Sequence, residues 1–320
     1  MVSDPSIRSA LPAAELDHVA AQIRAQPAYL TPEGVASAYR DLGLAIAADP
    51  FAPDVTQRVT AALTEGRPLS VVRIGDGEAN MLAFGADPAT PALDRYCIAR
   101  VLDRRRDTFA PDEAWMLALR EMLTTALHEA DIVGVIGLWG PRPDSPEGFA
   151  ALVAGSPRLA TGHWRAVDHM LHLARGGALA GKLIASAHLY FAILARLPDI
   201  LGECRRVLLI SSSTTVADAV RRRFPDHMVE WIAVGQRPRG RPRPASPDFL
   251  AATEAALPRD LAGTLCLVGA GPWAEIYCTW IKRRGGVGVD IGSGFDLMDG
   301  RVSRPVHRAL GLHKGNPYAL

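Results

Sequence analysis

Ser70-Val-Val-Arg-Ile-Gly-Asp-Gly-Glu78 is a short apolar run that stops abruptly at two glycines interleaved with two carboxylates. Val71, Val72 and Ile74 are strand formers, and the glycines let the chain turn at backbone angles that other residues avoid. The stretch predicts a buried strand that delivers a tight loop, after which Glu78-Ala-Asn-Met-Leu-Ala-Phe84 continues as a helix.

Asp76 and Glu78 stand two apart on that turn, so both carboxylates can aim at one point beyond the strand end. Such a pair suits a hard divalent cation, Mn²⁺ or Mg²⁺, which takes oxygen ligands and bridges to substrate phosphates. Gly75 and Gly77 keep side chains away and expose N–H groups near a helix start, where anions are favoured. The same residues also read as an ordinary Gly-Asp-Gly turn, with Glu78 as a first-turn acid favoured by the helix dipole. Arg73, an inward-facing cation at a strand end, calls for an anionic partner.

Outward from this stretch, apolar β-type runs alternate with helical patterns: Ser70 to Ile74, Ile132 to Gly137, Lys182 to Ser186, Val207 to Ser211, Val229 to Val234, Thr264 to Val268 and Val287 to Ile291. That alternation predicts an α/β fold with a Rossmann-like, mostly parallel sheet flanked by helices. Ligands of such sheets bind outside the carboxyl ends of the strands. Those ends carry glycines, hydroxyls, His188, Trp139, Trp273 and Asp290. His188 reads as a packed or capping histidine or as a base, and the two tryptophans as core or rim aromatics or as stacking platforms.

Residues 12 to 65 read as Pro-punctuated helices, Ala13 to Ala25, Pro32 to Ala48 and Pro53 to Glu65, with Thr31 as an N-cap before Pro32. The expected organisation is an N-terminal helical segment over residues 1–66 packed on a main domain over residues 67–320. The Pro/Arg stretch Arg237 to Pro247 reads as a solvated loop or a basic lid over a diphosphate.

The 320 residues are 48% hydrophobic and 22% charged, which is ordinary for a globular chain. A formal net charge of +1 gives no general electrostatic case for nucleic acid, and basic triplets such as Arg221-Arg222-Arg223 read as solvated helix faces. Cys97, Cys204, Cys266 and Cys278 show no C-x-x-C pairing and read as reduced structural thiols. With no signal-peptide pattern and no apolar run of about 18 residues, the expectation is a cytoplasmic protein without an integral membrane segment, compatible with a homo-oligomer.

Strand Thr264 to Val268 is followed by Gly269-Ala-Gly271-Pro-Trp-Ala274, which fits G-x-G-x-x-G/A, with Asp290 at the next strand end. Locally this is a dinucleotide or adenosyl fingerprint, and it points to an NAD(P)- or S-adenosylmethionine-binding enzyme. Too little chain follows Asp290 for the further βαβ units of a conventional dinucleotide half.

With Arg73-Ile-Gly-Asp-Gly-Glu78 early, Val268-Gly-Ala-Gly271 late and Gly286-Val-Gly-Val-Asp-Ile-Gly292 after it, the chain resembles the GT-D-type glycosyltransferases over roughly residues 66 to 300. That resemblance implies a Rossmann-like fold, sugar transfer from a nucleotide-diphosphate donor, commonly UDP-glucose, to a glycan or small-molecule acceptor, and a divalent metal at an Asp-x-Glu motif. Here the motif falls on Asp76-Gly77-Glu78. On the same footing Arg73, Gly75, Gly77, Gly269, Gly271, Asp290 and Ser293 become donor-side residues, while His188, Asp290 and Asp296 are the candidates for an acceptor base. The family pattern has a histidine after Asp-Ile-Gly where this chain has Ser293. A non-catalytic partner in glycan synthesis is the remaining alternative.

Overall fold

The structure is a computed structural model, and it describes residues 12–102, 113–139, 157–234 and 247–320. Its centre is one sheet of eight strands in the order β1-β4-β3-β2-β8-β7-β5-β6. These are β1 (Ala45–Ala47), β2 (Leu69–Ile74), β3 (Ile132–Val135), β4 (Leu183–Ser186), β5 (Arg206–Ser211), β6 (Met228–Ala233), β7 (Thr264–Gly269) and β8 (Val287–Asp290). Every pairing is parallel, with Val71 opposite Ile132 on one side of β2 and opposite Val289 on the other. The expected α/β, Rossmann-like architecture is therefore present, and the seven expected strands all lie in it.

Alternation along the strands divides the core between the two sheet faces. Val72 and Ile74 of β2, Leu208 and Ile210 of β5, and Cys266 and Val268 of β7 pack on one face. Val71, Leu209 and Leu267 belong to the other. The first face is covered by α2 (Pro32–Arg40), α6 (Glu113–Glu129), α7 (Pro157–Arg175) and α12 (Ala274–Arg283). The second is covered by α3 (Pro53–Thr64), α8 (Tyr190–Ala195), α9 (Leu197–Gly202), α10 (Thr214–Arg223) and α13 (Gly294–Met298). Between them in sequence lie α4 (Asp76–Leu82), α5 (Pro91–Leu102) and α11 (Pro247–Ala256). The first helix, α1 (Ala13–Ala25), makes a smaller cluster in which Val19 and Ile23 meet Leu93, Tyr96 and Trp164.

One expected element is corrected. The helix read over Pro32 to Ala48 ends at Arg40, and residues 45–47 are instead the edge strand β1, paired with β4. Gly43 adopts φ +74°, which breaks the helix before the alanines that favour its continuation. A three-residue strand is also too short to show alternation. The Thr31 cap is as expected, its hydroxyl accepting the Gly34 N–H at 3.0 Å. No disulfide joins the four cysteines, all of which are buried. Arg221, Arg222 and Arg223 form the exposed last turn of α10. The Arg/Pro segment lies outside the described residues, apart from Pro247 at the start of α11.

Two glycines show what the packing demands. A Cβ on Gly269 would lie 2.3 Å from the Phe295 ring, whereas one on Gly202 would meet nothing. Gly269→Ala is expected to cost about 1–3 kcal/mol by overpacking, and Gly202→Ala about 0.5 kcal/mol or less in either direction. Urea denaturation of the two variants checks the contrast.

Candidate active site at the carboxyl edge of the sheet

The sheet brings the ends of β2 and β8 side by side, and their side chains meet there. Arg73 Nε donates to Asp290 Oδ2 at 3.0 Å, and its Nη1 donates to the Ala187 carbonyl at 2.9 Å. Its guanidinium also lies 5.1 Å from the centre of the Tyr190 ring. Asp290 is 2% exposed and accepts the Gly292 N–H at 2.8 Å. The anion that Arg73 calls for is thus the carboxylate at the end of β8. Burial works against the guanidinium charge, yet Asp290, Tyr190 and Glu78 hold Arg73 above its ordinary range.

Gly292 makes room for this pair. It sits at φ +43°, and a Cβ there would fall 1.9 Å from Arg73 Nη2. Asp290-Ile-Gly292 is therefore a fitted clamp in which the acid holds the guanidinium and the glycine admits it.

The Gly-Asp-Gly-Glu loop emerges directly above. Gly75 is the N-cap of α4, Asp76 its first residue and Glu78 its third. Glu78 Oε2 turns back to accept the Gly75 N–H at 3.1 Å, the carboxylate half of a capping box. A Cβ on Gly75 would stand 2.8 Å from that oxygen, so the glycine permits the contact. The first-turn role of Glu78 is accordingly real. Asp76 is exposed, Gly77 buried and Glu78 half-buried. Burial first, then the charges of Asp76 and Asp290, push Glu78 up to about 7. Asn80 steadies the turn from below, donating to the Asp76 carbonyl at 2.6 Å and to the Gly162 carbonyl at 2.8 Å. Arg165, itself ion-paired with Asp94, reaches toward the same asparagine.

One residue of this neighbourhood is missed by sequence reasoning. Glu275, second in α12, is 1% exposed, and neither of its carboxyl oxygens has a hydrogen-bond partner among the described residues. Burial pushes its carboxyl well above the ordinary range, with the charges of Glu78 and Asp290 adding to the effect and Arg73 opposing it. Its helix packs on β2, β7 and β8, placing this third acid behind the loop. The available signal was an acid inside the apolar run Ala274-Glu-Ile-Tyr-Cys-Thr-Trp-Ile281, whose residues 274–279 are all buried.

An aromatic wall adjoins the clamp. Tyr190 meets His188 at 6.1 Å, His188 meets Trp139 at 5.5 Å, and Trp139 meets Phe51 at 6.3 Å between ring centres. Phe51 is exposed, while Trp139 and His188 are half-buried. On its hydroxyl side Tyr190 lies 3.0 Å from His307 Nε2 and near the Ser293 side chain. Burial lowers His307 to about 4, so its ring is neutral.

The other expected residues are placed differently. Gly269 backs onto Phe295 as described above, and Gly271 takes φ +61° in a 3₁₀ turn with open space around it. Trp273 is a core residue beside Trp115, 6.2 Å between ring centres. Asp296 is engaged by Arg301 at 2.9 Å and by the Ser303 hydroxyl at 2.6 Å. Asp290, bound by Arg73, does not offer solvent the free carboxylate that a ribose-binding acid needs.

Residues 52–145 match a family model described as a GT-D fold-like domain. The matched stretch contains β2, the Gly-Asp-Gly-Glu loop and β3, and it is there that the chain is GT-D-like. The segments around Gly269 and Asp290 lie outside the match. No curated protein and no solved structure matches the chain. No helix among the described residues is long and apolar enough to cross a membrane.

Glu275 sets a pH-dependent test. Between its ordinary value of 4.5 and its raised native value, the folded protein keeps a proton that the unfolded chain has released, so its contribution to stability falls as pH rises. Glu275→Gln abolishes that term. Relative to the parent, the variant should gain stability between pH 5 and about pH 7.5, measured by urea denaturation at both ends of the range.

Proposed function

We propose that this protein is a metal-dependent glycosyltransferase that moves a sugar from a nucleotide-diphosphate donor, a UDP-hexose such as UDP-glucose, to a glycan or small-molecule acceptor. The observation that carries this is the exposed Asp76 beside the half-buried Glu78 at the carboxyl edge of β2, inside the GT-D-like stretch. A loop built merely as a turn would not need two carboxylates above the Arg73–Asp290 pair.

Among the described residues no three His, Cys, Asp or Glu side chains are arranged to enclose a metal. A two-carboxylate set suits Mn²⁺ or Mg²⁺ nonetheless, because such ions retain water and take their remaining oxygens from substrate phosphates. Asp76 and Glu78 would hold the ion, which when bound neutralises charge on the departing diphosphate.

The protein's own groups supply positioning. Arg73 fixes the ends of β2, β4 and β8 relative to one another through Asp290 and the Ala187 carbonyl, so the loop carrying Asp76 and Glu78 stands on a rigid base. Phe51, exposed at the rim and stacked by one face on Phe191, would give an acceptor sugar an apolar surface. Of the candidate bases, Asp290 is committed to Arg73 and Asp296 to Arg301 and Ser303, while His188 stands in the aromatic wall between Trp139 and Tyr190.

Calorimetric titration with UDP and UDP-glucose, with Mn²⁺ and with EDTA, tests the donor site. UDP at a hundredfold excess over its dissociation constant should stabilise the protein by about 2.7 kcal/mol with the metal present. That gain should vanish in EDTA and in the Asp76→Ala, Glu78→Ala double variant. Metal-independent stabilisation by NAD or S-adenosylmethionine would overturn the proposal, and UDP binding without sugar transfer to any acceptor would indicate a non-catalytic partner.

A further inference from the structure

The opposite edge of the sheet carries a second concave surface, independent of the donor site. A cavity of about 500 Å³ opens at the amino ends of β2, β3 and β4, lined by Arg58, Arg67, Lys182 and Lys282 together with Glu129 and Asp131. The run of β2 from Leu69, which lines the cavity, to Arg73 separates it from the Arg73–Asp290 clamp by about 13 Å.

The two lysines are held in place by the end of α6 and the turn that follows it. Lys182 Nζ donates to the carbonyls of His128 and Ala130, each at 2.7 Å. Lys282 Nζ donates to the Glu129 carbonyl at 2.7 Å and to Asp131 Oδ1 at 2.8 Å. An ammonium has three donors, so each lysine keeps one N–H after these contacts. Capping a helix C-terminus accounts for the contacts that are made. It does not account for two ammonium groups brought to one cavity with two arginines beside them.

The acids of the lining are already committed. Asp131 is bound by Lys282 and accepts the Ser70 N–H at 2.8 Å, while Glu129 is paired with Arg283. Arg67 pairs with the exposed Glu65. Lys182 and Arg58 have no salt bridge among the described residues, so the cavity holds a surplus of positive charge. Burial, together with the like charge of Lys282, pushes the Lys182 ammonium below its ordinary range. An anion in the cavity would relieve both effects.

We propose that this cavity binds a small polyanion of the diphosphate class, held by the spare N–H groups of Lys182 and Lys282 and by the guanidinium groups of Arg58 and Arg67. Fixed ammonium groups supply point charges, and the exposed arginines supply forks that match phosphate oxygens. A recessed cavity of this volume suits a compact solute better than a flat surface of headgroups.

The test is calorimetric titration of the full chain with inorganic pyrophosphate in EDTA, where a metal-held donor site contributes nothing. One saturable equivalent is expected, unchanged in the Asp76→Ala, Glu78→Ala variant. Arg58→Gln with Arg67→Gln, both on exposed side chains, should weaken it about tenfold or more without loss of fold. Lys182→Gln should weaken it as well, with circular dichroism verifying that the variant is folded. Absence of saturable binding, indifference to the arginine substitutions, or loss of binding in the Asp76/Glu78 variant would each overturn the proposal. Binding to phosphatidylglycerol vesicles without pyrophosphate binding would overturn it too, in favour of a membrane headgroup surface. None of these outcomes depends on whether the carboxyl edge transfers sugar.

Discussion

A guanidinium largely withdrawn from water, as Arg73 is at 16% exposure, can be tolerated only where its charge is answered, and the ends of β2 and β8 are arranged around that requirement. Arg73 is answered by Asp290 from the neighbouring strand, by the Ala187 carbonyl at the end of β4 and by the face of Tyr190. Breaking such a pair by removing one partner typically costs about 3–5 kcal/mol, because the other charge is left buried. Gly292, with no side chain, makes the space for this group. The candidate site is therefore not an addition to the sheet but the place where several strands are joined by charge.

Acids accumulate around that charge. Glu78 caps its own helix through Gly75, Asp76 stands in solvent, and Glu275 lies buried behind them, its oxygens without a hydrogen-bond partner among the described residues. Like charges so placed raise one another's proton affinity, and burial amplifies the effect. A divalent cation or a proton would satisfy the same excess of carboxylate, which is why the loop's chemistry and its pH response are linked.

The strands were legible because each is an apolar run bounded by turn residues, and a parallel sheet buried on both faces demands such runs. β1 was not, since three residues beginning and ending in alanine carry neither alternation nor β-branched bulk at their ends. At the site, the need of Arg73 for an anion could be read from the sequence, but the choice of Asp290 could not. That choice depends on β8 lying beside β2, which is a matter of strand order. Glu275 escaped notice for a related reason: an acid in a helical first turn has an ordinary local explanation, and only tertiary packing seals it from water. Gly269 shows the converse. Its place in a cofactor-like motif suggested a ligand, while its close approach to Phe295 gives it a packing reason of its own.

The adjacency of β2 and β8 has a consequence for synthesis of the chain. Arg73 and Asp290 are 217 residues apart in sequence, so a ribosome adding 5–20 residues per second makes the cation about 10–40 s before its counter-ion. Throughout that interval the nascent β2 has an unpaired flank and an unanswered charge. Open strand edges of that kind invite pairing with other chains. The carboxyl-edge site thus cannot close until both strands have been made, however early β2 emerges.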